Sequence, residues 1–197
     1  MPRRILSFDP PDRFAAGTVG EPGHRTFFLQ AVRGQQVISV AVEKVQVAAL
    51  AERLGDILNV LHRRGMEVAE ESATESGATE SDAIPPLEEP LQELFRVGTI
   101  TLAWDVDRRQ VVIEARAMRE DGQDGEDEEA DEIPDDDPNG PDVLRVRIPP
   151  AMADSFVRRA GRVVAAGRPP CPMCGQPLDA QGHLCPRRNG HGTPYVN

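Results

Sequence analysis

Aromatic residues make up only 4% of this 197-residue chain, lysine occurs once, at Lys44, and the three cysteines all fall within the last 27 residues. With so few rings, a single-strand nucleic-acid platform of the base-stacking kind is hard to build. No apolar run approaches the ~20 residues that a membrane span requires, so no membrane partner is expected. An odd cysteine count, with no secretory n-region and h-region pattern, argues against a disulfide framework. Free thiols instead fit a reducing cytoplasm. There is also no Gly-rich phosphate loop, Ser-centred elbow or His-Glu-x-x-His pair, which removes the familiar nucleotide-binding, hydrolase and metalloprotease templates.

The formal net charge of −11 averages over segments of opposite sign. Residues 67–93 carry nine acidic side chains and residues 120–142 carry thirteen, with no base in either. Setting those 22 acids aside leaves 11 against 22 bases, so the remainder carries +11, nearly all of it arginine. Both acidic segments are rich in Gly, Ser, Thr and Pro and poor in large apolar residues. Such stretches bury too little surface to offset chain entropy and are expected to be disordered loops. They can simply solubilise the protein, or they can screen an arginine-rich surface.

With the loops removed, an approximate internal duplication emerges. Residues 13–19 resemble residues 95–100, and both read as strands reaching a Gly-Thr step. Strands at 26–32 and 36–43 complete the first set, and strands at 110–118 and 143–148 the second, with apolar residues alternating at period two. Each set runs into a helix. The helix at 45–62 places Val47, Leu50, Leu54, Ile57, Leu58 and Leu61 on one stripe, and that at 150–166 does so with Met152, Phe156, Val157, Val163 and Val164. Two strand-strand-strand-helix units predict a single α+β domain over residues 1–168, with one antiparallel sheet and both helices on one side.

Residues 169–197 carry the most specific chemistry. A Cys-x-x-Cys turn at Cys171 and Cys174 points two sulfurs the same way, and Cys185 with one histidine would complete a tetrahedral zinc set. Four protein ligands leave no open position, so the expected Zn2+ is structural. His191 is the preferred fourth ligand, because the five intervening residues let the chain turn back, whereas His183 lies one residue from Cys185. A thioredoxin-type redox pair would need a helix N-terminus at the motif. The prolines at 169, 170, 172 and 177 argue for turns instead.

Other candidates are weaker. Asp9 and Asp12 flank Pro10-Pro11, with His24 and Arg25 following, but the spacing fits no acid-base template. Carboxylates satisfying backbone N–H groups in a proline-fixed turn explain them as well. Lys44 could supply a compact amine among arginines. Trp104 and Phe95 read as core or sheet-face residues. Arg187, Arg188, Arg25 and Lys44 are the candidate anion contacts.

The run Phe8-Asp9-Pro10-Pro11-Asp12-Arg13-Phe14 with Gly17-Thr18-Val19-Gly20, the stretches 25–30 and 43–53, and the tail from Cys171 to His191 together resemble the bacterial family catalogued as domain of unknown function 3090, also labelled "repeat protein". The resemblance implies the domain plan and the metal tail, and it supplies no activity. Two functions remain to be weighed. One is a noncatalytic binding or adaptor module for a protein or anionic partner, nucleic acid among the candidates. The other is an enzyme acting on an anionic small molecule in a cleft between the two units. The missing catalytic constellation favours the first.

Overall fold

The computed structural model describes residues 3–21, 23–65, 84–118, 137, 140–166, 171, 173, 174, 185 and 187. Its elements are β1 (Ile5–Phe8), β2 (Arg13–Val19), β3 (Thr26–Arg33), β4 (Gln36–Val42), α1 (Lys44–Arg63), β5 (Glu93–Asp105), β6 (Gln110–Ala117), β7 (Val143–Ile148) and α2 (Pro150–Ala165). After β1, the order reads strand-strand-strand-helix twice, and the fold is α+β as expected.

The apolar stripe of α1 is buried as its spacing requires, with Val47, Leu50, Leu54, Leu58 and Leu61 all in the interior. Its start is fixed by a capping box, in which the Glu43 carboxylate accepts from the Gln46 N–H while the Gln46 side chain accepts from the Glu43 N–H at 2.8 Å. Two orphan donors of the first turn are thereby satisfied. Pro150 opens α2, where a missing N–H costs nothing. The buried stripe of α2 differs from expectation: it is Ala153, Phe156, Arg159, Ala160 and Val163, with Met152, Val157 and Val164 only partly covered. The two helices pack together over one sheet face, with Ala153 and Ala160 of α2 in the core. Phe156 stacks on Phe14 of β2 with centroids 4.9 Å apart, so the second helix closes the first half of the sheet.

The seven strands form one sheet in the order β1-β7-β6-β5-β4-β3-β2. It is mixed rather than wholly antiparallel, because β4 pairs with β5 and β1 with β7 in parallel. The cause lies in the connections. Parallel neighbours need a long crossover, and α1 with the chain after it supplies one between β4 and β5. The strand β1 was not anticipated. It reaches β7 through Arg3, which donates to the Pro141 carbonyl, and through Arg4, whose backbone N–H and guanidinium both bind the Asp142 carboxylate.

Of the acidic loops expected at 67–93 and 120–142, residues 67–83, 120–136, 138 and 139 lie outside the described residues. The flanks are built into the fold: Asp142 holds β1, and residues 84–92 form a strap that runs past edge strand β2 onto the sheet face opposite the helices. Arg159, buried in α2, donates to the carbonyls of Ala16 and Pro85, both at 2.6 Å. Arg13 binds the Pro86 carbonyl, and Leu87 covers Gly17, where even a β-carbon would lie 2.5 Å from it. The decisive contact is buried Gln30 of β3. Its carboxamide accepts from the Glu88 N–H at 2.8 Å and donates to the Glu88 carbonyl at 2.9 Å, so one side chain acts as a neighbouring strand's peptide group. Ala15, Phe28, Ser39 and Ala41, which share this face with Gln30, are buried as well. Among the described residues, no helix is long and apolar enough to cross a membrane.

Two outcomes follow from this arrangement. Gln30→Leu leaves both polar groups of the Glu88 peptide without their partner and should cost about 2–4 kcal/mol, read as a melting-temperature fall of roughly 5–15 °C; Arg63→Gln, on an exposed position of α1, should leave the transition in place. The Asp142 carboxyl is raised by burial but lowered further by hydrogen bonds and charge from Arg4, so it sits below the ordinary aspartate value. A depressed folded-state pKa gives stability above the unfolded pKa that is lost as pH falls through the folded one. The deficit of Asp142→Asn should therefore be present near neutrality and close below about pH 4. With Arg4 half exposed, it should not exceed about 1 kcal/mol.

Candidate metal centre

Three sulfurs meet in the C-terminal tail. The ligand atoms of Cys171, Cys174 and Cys185 all lie within 4.8 Å of one another, and the Cys171 and Cys185 Sγ atoms are 4.0 Å apart. A tetrahedral ion with metal–sulfur bonds near 2.3 Å separates its sulfurs by about 3.8 Å, so the triad needs little adjustment to close on one ion. The three are free thiols, not disulfides. Cys171 is buried and the other two are half-buried. Burial raises the Cys171 thiol, but N–H donation from Cys174 and Met173, together with the side chains of Cys174 and Cys185, outweighs it and brings the pKa below the ordinary thiol value. Metals bind the thiolate, so this bias favours ligation. His183, His191 and Arg188 lie outside the described residues.

The remaining candidates separate. The Asp12 carboxylate accepts from the Gly34 N–H at 2.6 Å, where φ of 57° turns the β3–β4 hairpin. That is the backbone-satisfying role. Arg25 and Lys44 come together in a cavity of about 250 Å³ with Thr26, Phe27, Val42, Glu43 and Arg96, whereas Asp9, Asp12 and His24 do not line it. Arg25 also donates to the Ala166 carbonyl at 2.6 Å, at the end of α2 and five residues before Cys171. Phe95 and Trp104 pack against the core, as their strand positions implied.

A family model described as "Protein of unknown function (DUF3090)" matches residues 6–185. The chain belongs to this family. The DUF3090 match begins in β1 and ends at Cys185, so it takes in the sheet except for Ile5, both helices and all three thiols. His183 falls inside the matched stretch and His191 beyond it. No curated protein and no solved structure matches the chain.

Within this DUF3090 protein, Arg187, one of the candidate anion contacts, has a structural bond that the sequence did not reveal. Its guanidinium donates to the Met173 carbonyl at 3.0 Å, tying the segment after Cys185 to the turn that carries Cys171 and Cys174. Its sequence signal was only the closeness of an arginine to the third cysteine. Such supporting contacts orient ligands, and their loss commonly costs 10–100-fold in metal affinity. Arg187→Ala should therefore weaken Co2+ binding by about tenfold, measured from the thiolate-to-cobalt absorption on titration, with the spectral shape unchanged.

Proposed function

We propose that the protein is a cytoplasmic, noncatalytic binding or adaptor module for a protein or anionic partner, its C-terminal tail folded around one structural Zn2+. The observation that carries this reading is the sulfur triad. Three thiols converge on a spacing suited to a soft or borderline ion, and local N–H groups hold the Cys171 thiol below its ordinary value. Cys171, Cys174 and Cys185 would supply three ligands and His191 the fourth, a closed set that holds the tail without offering a site to substrate.

An enzyme would need its acid-base groups gathered where a ligand can sit. Asp9, Asp12, His24, Arg25 and Lys44 were the residues whose convergence would have argued for chemistry, and the cavity takes only Arg25 and Lys44. The division of labour supports a binding reading: aspartate in a turn, arginines on backbone carbonyls, three thiols gathered together.

The purified full chain should carry about one equivalent of zinc, retained through gel filtration and removed by a strong chelator. Cys174→Ser should abolish it while the sheet's far-ultraviolet signal persists, because the main core draws on neither Cys174 nor Cys185. His191→Ala should lose zinc and His183→Ala should keep it. The reverse pattern would transfer the fourth position to His183, and metal-free protein in every preparation would overturn the zinc reading.

A further inference from the structure

The cavity beside α1 is left over by the metal centre, and its lining is unusual for this chain. Three cations, Arg25, Lys44 and Arg96, face one space with a single carboxylate, Glu43. That carboxylate is already engaged at the capping box, accepting from the Gln46 N–H. The chain's only lysine is at the first position of a 20-residue helix whose first turn holds no acidic residue. The positive end of the helix dipole and the ammonium therefore act in the same direction.

The walls are fixed before any ligand arrives. Gln46 spends its carbonyl oxygen on the Glu43 N–H and its amide nitrogen on the carbonyls of Val97 and Gly98, at 3.2 and 3.0 Å, locking the start of α1 onto β5. The strand pairing of Ala41 with Arg96 sets Arg96 beside the β4 end that leads into Lys44. Arg25 is anchored by one terminal nitrogen to the Ala166 carbonyl, while its Nε is buried and has no hydrogen-bond partner among the described residues.

From these observations we infer that the cavity binds a phosphoryl group, the dianionic end of a small phosphorylated molecule, with Arg25, Lys44 and Arg96 as its contacts. Three cations against one engaged carboxylate match a dianion. Guanidinium planes suit tetrahedral oxyanions, and lysine adds a compact charge. At about 250 Å³ the space falls below the 300–1,000 Å³ usual for whole drug-sized ligands, so it holds the charged end and leaves the rest of the molecule outside. The inference rests on the anionic-partner reading above and deepens it by naming the site and the chemical class.

Its test uses the full-length, metal-loaded protein titrated with phenyl phosphate, inorganic phosphate and acetate, followed by calorimetry and by the phosphorus resonance. Saturable one-to-one binding of phenyl phosphate is expected, with acetate at least tenfold weaker. Lys44 and Arg96 are exposed at the cavity rim, so Lys44→Met and Arg96→Gln remove charge without breaking a structural bond. Each should weaken binding by about tenfold or more, and Arg63→Gln with Arg64→Gln should leave it unchanged. Absence of saturation, equal binding of acetate, or equal weakening by the Arg63 and Arg64 control would overturn the inference. Zinc content is measured on the same samples: zinc retained without phosphate binding sinks the phosphoryl site alone, and zinc absent from all of them sinks the metal reading.

Discussion

One buried carboxamide governs how the two halves of the sheet meet. Gln30 takes both hydrogen-bonding groups of the Glu88 peptide, and through that grip residues 84–92 are held against β2 and β3. Once the strap is fixed there, the following residues enter the sheet beside β4 and must run parallel to it. The alternative, a free connection, would leave Ala15, Phe28 and Ala41 open to water on the face that the helices do not reach. A neutral amide suits the task because it supplies a donor and an acceptor without the desolvation cost of a charge.

Arginine plays a corresponding part elsewhere. Composition leaves the body of the chain with a large formal positive charge, which invites the picture of a bare basic surface. Several of those guanidiniums instead end on backbone carbonyls: Arg159 on Ala16 and Pro85, Arg25 on Ala166, Arg187 on Met173, Arg13 on Pro86. Arg145 and Arg116 share Glu114. A planar fork with five donors can bridge two segments and satisfy carbonyls that no strand or helix reaches, which a lysine does less well.

What was legible in the sequence was local. The stripe on α1, the alternation in β6 and β7, and three cysteines within fifteen residues each write their own geometry into a short window. The strand β1 is only four residues long and finds its partner in β7, far along the chain, so no window contains the reason for it. The strap reads as the tail of an acidic loop because its hold on the sheet comes from backbone groups, which composition does not register. On α2, Ala153, Ala160 and Arg159 are buried, the last of them on backbone carbonyls, while a hydrophobic count passes over all three. The parallel seam is written in the element order, since a strand, a long helix and another strand form the usual crossover.

The pairing of β1 with β7 also sets a timetable. Of the described strands, the one made first docks on the one made last, and Phe14 of β2 waits for Phe156 of α2. Neither half can close its face from its own residues. A chain with contacts this far apart cannot settle piecewise during synthesis; its sheet edges and the apolar side of β2 stay open until α2 has emerged, and folding slows as such distant contacts come to dominate.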